Sequence, residues 1–272
     1  MLKQRLLTAL ILIPLVVWLI SLSTQIVAGV IGFVVVIGAW EWAGLCGWQS
    51  GVKRGIYAFV MALVLFLLYW FQLIELTMTS ILLVACLWWL FALFWVFRYQ
   101  KGHNLLPKSA LIKALLGFFI LLPAWTALLI LHKDYGWHSV IFLFVLIWTA
   151  DSGAYFAGKA WGKRKLADKV SPGKSWEGVL GALVMSAIFS IGYGFFQSIP
   201  LLSLLFFVLL CILTVMVSIL GDLLESLFKR QMGVKDSGQI LPGHGGMLDR
   251  IDSLTSAVPV FVTGLILLGI SF

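Results

Sequence analysis

Residues 221–252 read GDLLESLFKRQMGVKDSGQILPGHGGMLDRID, and about twenty apolar residues stand on either side of them. This short stretch carries Asp222, Glu225, Asp236, Asp249 and Asp252, five of the chain's 11 carboxylates. Lys229, Arg230, Lys235, His244 and Arg250 lie among them. A polar cluster of this density between two hydrophobic runs costs free energy in a bilayer and calls for a functional explanation.

Outward from this stretch the chain is apolar. Of its 272 residues, 62% are hydrophobic and 11% charged, where soluble domains carry about 25% charged residues. The fold class is an all-α polytopic integral membrane protein. Each crossing must satisfy its own backbone hydrogen bonds, and the long unbroken apolar runs exclude a barrel, whose strands alternate. At roughly 20 apolar residues per crossing, nine spans are expected, near residues 6–23, 25–47, 55–72, 79–98, 110–131, 139–159, 177–197, 200–228 and 251–271. The opening basic residues and first apolar run resemble a secretory signal. No small-residue cleavage site follows, so an uncleaved first span is expected.

Eighteen of the 19 basic residues fall on one side of these spans, and Lys133 alone lies on the other. By the positive-inside rule that side is the cytoplasm, which places the N-terminus inside and the C-terminus outside. The net charge of +8 is then a membrane-topology feature, with no nucleic-acid partner expected. Cys46, Cys86 and Cys211 all sit in apolar stretches and read as small buried hydrophobes. Two regions are expected. Residues 1–135 supply spans for fold, lipid groove or dimer contacts. Residues 136–272 form a catalytic region with cytoplasmic loops 160–176 and 229–250.

Glu41, Asp151 and Asp222 fall toward the cytoplasmic ends of three separate spans, which suggests a shared polar cavity. Asp222, Glu225, Ser226 and Lys229 follow i, i+3, i+4, i+7 spacing and share one helix face. Carboxylates of this kind suit Mg²⁺, a hard cation that fills its shell with water and substrate phosphates; Glu225 and Lys229 also fit a plain i, i+4 ion pair. Asp249 and Asp252 beside Arg250 offer ligands from the facing side, so Asp222 with Asp249 would bridge one or two ions. Gly243, Gly245 and Gly246 allow tight turns and close approach of backbone N–H groups to an anion. His244 is either a chemical group or a structural hydrogen bonder. Residues 151–178, DSGAYFAGKAWGKRKLADKVSPGKSWEG, place six basic residues among glycines, and Lys169 and Lys174 suit a triphosphate. No Walker A pattern occurs.

Ser226 to Asp252 resembles the signature of the phosphatidate cytidylyltransferases (CDP-diglyceride synthetases): S-x-apolar-K-R, four residues, K-D-x-small, then apolar-P-x-H-G-G-apolar-x-D-R-apolar-D. Asp151–Gly158 (DSGAYFAG) and Ser171–Gly178 (SPGKSWEG) look like further family patterns. The resemblance implies the conversion of CTP and phosphatidate to CDP-diacylglycerol and pyrophosphate at the inner leaflet of a bacterial plasma membrane, by a homodimer. It also implies Mg²⁺ and a paired-metal centre, with a second ion that is divalent or monovalent. Asp222, Asp249, Lys229 and Arg250 are the expected catalytic residues, and Asp222, Asp249, Asp151 and Asp252 the expected metal ligands. Lys169, Ser171, Lys174, Arg230, Lys235, His244, Gly245 and Gly246 are the expected substrate contacts. Three other readings share the acids: an ion transporter, which needs access from both faces; a CTP-dependent lipid kinase, which releases CDP; and a scaffold, which needs no acid cluster.

Overall fold

The computed structural model describes residues 14–103, 106–240 and 245–270. Among them lie nine helices and one hairpin: α1 over residues 14–20, α2 Thr24–Leu45, α3 Gly51–Trp70, α4 Leu73–Gln100, α5 Ala110–Tyr135, α6 Trp137–Trp161, β1 Lys165–Ala167, β2 Ser171–Ser175, α7 Trp176–Phe196, α8 Leu201–Gln231 and α9 Leu248–Leu268. The eight helices α2 to α9 are each long and apolar enough to cross a membrane, and the chain is an integral membrane protein. Residues 6–13 of the span expected at 6–23 lie outside the described residues; the remainder includes α1.

The eight later spans coincide with α2 to α9, with shifted ends. α4 opens at Leu73, not 79, and α9 at Leu248, not 251. Apolar runs stop at the first charge, whereas a helix continues through it. Glu75 sits in the first turn of α4, where the helix dipole favours an acid, and pairs with Lys133 in the last turn of α5. α8 has 31 residues, about 46 Å at 1.5 Å per residue, against a hydrocarbon core of roughly 30 Å. It is therefore about 16 Å longer than the core is thick.

α5 is buried along most of its length and packs on α2, α4, α6 and α9. Close to its start, Trp42 Nε1 donates to the Lys113 carbonyl at 2.9 Å and the Tyr57 hydroxyl to the Ala114 carbonyl at 2.8 Å. Trp42 also meets Phe228 of α8, with ring centroids 4.8 Å apart. Cys46 and Cys211 are buried, Cys86 is half-buried, and all three are free thiols, as the sequence reading expected.

Two close helix crossings set up the polar end of the molecule. Gly221 lets α8 meet α9: a Cβ there would lie 2.6 Å from the Asp252 carbonyl and collide with Ser256. The most extensive packing joins α6 to α7, through Gly153 and Ala157 on one and Gly178 and Gly181 on the other. A Cβ on Gly181 would overlap Ala157 and lie 2.6 Å from the Gly153 carbonyl. Small residues permit such approach in lipid, where no hydrophobic force drives helices together. Replacing Gly181 by Ala should therefore destabilise the solubilised protein by about 1–3 kcal/mol through overpacking. Gly192→Ala, on the same helix with nothing within 4 Å, should be neutral or stabilising. Thermal unfolding of the two variants in detergent checks the difference in sign.

Between α6 and α7 the chain forms an antiparallel hairpin that the sequence reading left as a loop. Lys165 pairs with Ser175 and Ala167 with Ser171, with an irregularity between. Both of its ends are held. Ser175 Oγ accepts the Gly178 N–H at 3.1 Å, and the Glu177 carboxylate accepts the N–H groups of Lys163 and Arg164 at 3.1–3.2 Å. The hairpin carries Lys174 to the end of α8.

Candidate active site

The expected helix face on α8 is present. Asp222 accepts a hydrogen bond from Ser226 Oγ at 3.2 Å, and its other oxygen lies 2.6 Å from Lys174 Nζ on β2. Asp151 of α6 stands within electrostatic range of both Lys174 and Asp222. Asp252 of α9 is adjacent to Asp222 and Glu225, a consequence of the close approach at Gly221.

Lys229 forms the second cationic centre. Its buried ammonium lies 2.7 Å from Asp249 Oδ1 and 3.2 Å from Glu225 Oε2. The i, i+4 pair with Glu225 is therefore real but shared with α9. The Glu225 contact is close without being well aligned: neither of its buried oxygens receives a hydrogen bond of good geometry. Asp249 is fully served. Besides Lys229 it accepts the Gly246 N–H at 2.7 Å and the Ser237 N–H at 3.0 Å.

The loop before α9 is fixed by a residue with a different role from the one expected. Glu41 is buried near the end of α2. Its carboxylate accepts the N–H groups of Met247 and Leu248 at 3.0 and 2.7 Å and the Ser237 hydroxyl at 3.1 Å. It caps the N-terminus of α9, where backbone N–H groups lack intrahelical partners and the dipole favours negative charge. The acid expected to face a shared cavity is consumed by this cap. The same arrangement explains the paired glycines. Gly245 has φ +82°, and a Cβ on Gly246 would lie 2.5 Å from a Glu41 oxygen. The anions these glycines approach belong to the protein itself.

The remaining expected contacts divide by position. Arg230 ties the hairpin to the end of α8, donating to the Val170 and Val234 carbonyls at 3.2 and 3.3 Å. The Lys169 N–H meets Gln100 at 3.5 Å, and its side chain is exposed along with those of Lys235 and Arg250. Ser171 opens β2, half-buried. His244 lies outside the described residues. One continuous network thus joins Asp151, Lys174, Asp222, Asp252, Glu225, Lys229 and Asp249, drawn from α6, β2, α8 and α9. It sets five carboxyl groups against two ammonium groups. Among the described residues, no three acids, histidines or cysteines form a metal cage by themselves. Sequence reasoning missed the partners of Ser237, Gln100 and Glu177, which lie elsewhere in the chain: the Glu41 and Asp249 carboxylates for Ser237, and backbone N–H groups for Gln100 and Glu177.

The Cytidylyltransferase family model matches residues 3–268. The chain belongs to the cytidylyltransferase family. Within this family it is 46% identical over 263 residues to the phosphatidate cytidylyltransferase of Pseudomonas aeruginosa, covering 96% of each chain. It is 40% identical over 280 residues to the protein of that name from Haemophilus influenzae, covering 96% of this chain and 97% of the relative. A Bacillus subtilis protein with the same name is 43% identical over 129 residues, 46% of each chain. For a cytidylyltransferase the site has a suitable form: oxygen donors of hard character for a cation, and lysines that can exchange a carboxylate for a phosphate.

Proposed function

We propose that this chain transfers the cytidylyl group of CTP to phosphatidate, giving CDP-diacylglycerol and pyrophosphate. The observation that carries this reading is the net-acidic cluster at the end of the bundle where the basic segments gather. A lipid phosphate in the inner leaflet and a triphosphate from the cytoplasm both have access to such a place. The reading includes nine crossings with the N-terminus inside, an inner-membrane location, a catalytic region over residues 136–272, and a homodimer. Eighteen of 19 basic residues on one side support the orientation, and the bacterial relatives support the location.

In this reaction an oxygen of the lipid phosphate attacks the α-phosphorus of CTP. The bond from that phosphorus to the bridging oxygen breaks, and pyrophosphate leaves with the electron pair. No strong base is needed, because the nucleophile is already anionic. The main barrier is bringing two anions together, which preorganised cations lower. Lys174 and Lys169 hold the triphosphate, Arg250 meets the lipid phosphate, and Lys229, Arg230 and Lys235 line the approach. Asp249, saturated by its three donors, keeps Lys229 and the loop in place.

Mg²⁺ fits the residues present. Five carboxyls exceed two ammoniums, and both Glu225 oxygens are buried without an aligned donor. Asp222, flanked by Asp151 and Asp252, would hold the ion; Asp249, whose oxygens are taken by Lys229, Gly246 and Ser237, would keep Lys229 in place beside it. Mg²⁺ commonly takes one or two carboxylates and completes its shell with water and phosphates. When bound it supplies charge neutralisation on the triphosphate and the departing pyrophosphate.

Purified protein in detergent should release pyrophosphate only when CTP, phosphatidate and Mg²⁺ are all present, and EDTA should stop the release. Formation of CDP in place of pyrophosphate would overturn the proposal in favour of a kinase. Chemical cross-linking in membranes tests the homodimer.

A further inference from the structure

A cavity lies beside the acid cluster, and of the phosphate-binding groups assigned above only Arg250 lines it. It has a volume of about 260 Å³ and runs between α1, α2, α5, α6 and α9. Its walls are apolar, with Ile31 and Val34 of α2, Trp148 of α6, and Ile251, Leu254 and Val258 of α9 among them. Arg250 is the one charged residue among the described residues that line it.

We infer that this cavity is the groove for an acyl chain of the phosphatidate substrate, with Arg250 at its mouth beside the lipid phosphate; the inference rests on the function proposed above. Three observations select this occupant. The first is length. Along α9 the lining runs from Met247 to Val258, eleven residue steps or about 16 Å. That is half of the roughly 30 Å hydrocarbon core, the depth of one leaflet and so of one lipid tail. The second is polarity. An apolar trough closed at one end by a guanidinium matches a tail joined to an anionic headgroup, and Arg suits phosphate through paired N–H donors. The third is continuity. Arg250 lies between Asp249 and Asp252 in sequence, and Thr255 lines both this groove and the small cavity bounded by Glu225 and Asp252. A tail seated here leaves its phosphate at the acids.

The groove then acts as a ruler. Ile31 and Val34 are three residues apart on α2, about 4.5 Å along the axis, and both are half-buried. Val34 is nearer the polar end, because Gly38, one turn further along, packs on Leu248 and Ile251. Val34→Trp should block the tail close to its head, and Ile31→Trp should block it further out.

The test compares dioctanoyl, dilauroyl and dipalmitoyl phosphatidate as substrates for the full chain in detergent. Binding of each to the protein without CTP is measured in parallel by native mass spectrometry. For Val34→Trp, the kcat/KM ratio of dipalmitoyl to dioctanoyl substrate should fall at least tenfold, with the KM for CTP unchanged. For Ile31→Trp the cut-off should move to a longer chain. If Val34→Trp is poorly retained in membranes, Val34→Phe carries the same comparison with a smaller shift. An unchanged chain-length profile in both folded variants would overturn the groove while leaving cytidylyl transfer intact. So would a cavity that retains a different phospholipid through turnover. If the wild type binds long-chain phosphatidate in a Val34-dependent way but releases no pyrophosphate, the groove stands and the proposed reaction falls.

Discussion

Glu41→Ala should cost the protein far more stability than the removal of the half-exposed Asp222 carboxylate. The carboxylate accepts two backbone N–H groups at the start of α9 and the Ser237 hydroxyl, and the residue is 2% exposed. Hydrogen bonds to a charged acceptor are worth about 1.5–3 kcal/mol each, and a buried donor left alone bears its desolvation penalty. The two backbone donors alone put the expected loss at about 3–6 kcal/mol, a large part of the roughly 5–15 kcal/mol that holds a typical domain together. Glu41→Gln keeps one acceptor oxygen but turns an NH₂ toward a second donor, so it should lose an intermediate amount. The loop that carries Gly246 and Ser237 to Asp249 is held by the same carboxylate, so activity should fall along with stability. Thermal unfolding in detergent, followed by gel-filtration recovery, orders the three proteins. Equal stability of wild type and Glu41→Ala would remove the cap from the account.

Asp222→Asn should behave in the opposite way, with little loss of stability and a large loss of turnover. The Asp222 and Lys174 side chains are 33% and 26% exposed. An ion pair that open to water contributes on the order of 1 kcal/mol or less, so the folded state should survive its removal. Catalysis depends on the same carboxylate differently. In the proposed reaction Asp222 would hold the cation, which would supply charge neutralisation on the triphosphate, and Lys174 would bind a phosphate. Cation stabilisation of transferring phosphoryl groups is worth several kcal/mol, and each 1.36 kcal/mol is tenfold in rate. Pyrophosphate release should therefore drop by at least about 100-fold with unchanged thermal unfolding. Lys174→Met should raise the KM for CTP more than it lowers kcat. Full turnover by Asp222→Asn would remove the acid from the site.

How much of this was legible in the chain follows from where each residue's partner lies. Asp222, Glu225, Asp249 and Asp252 stand out because charge in an apolar context needs a reason, and their helical spacing places them on faces without any knowledge of the fold. The i, i+4 contact of Lys229 with Glu225 was equally visible, being local. Its shorter contact with Asp249 was not, since that requires the crossing of α8 and α9 at Gly221. Glu41 was visible as an intramembrane acid and invisible as a cap: its partners are backbone groups with no signature of their own. The hairpin escaped because strands of three and five residues, rich in Lys, Gly and Pro, carry no alternation to read. The span ends slipped because hydropathy follows lipid contact, while helices such as α4 continue into the interface.

The contact between Glu41 and Leu248 joins residues 207 positions apart, and this imposes an order in time. At about 5–20 residues per second, the ribosome takes roughly 10–40 s to deliver the cap's backbone partners after the acid has been made. Throughout that interval the Glu41 carboxylate lacks the two backbone donors that the start of α9 supplies. α9 is thus the helix that fixes the end of α2 in its final place. The enzyme cannot become competent piecemeal during its own synthesis, because α2 and α9, far apart in the chain, complete each other.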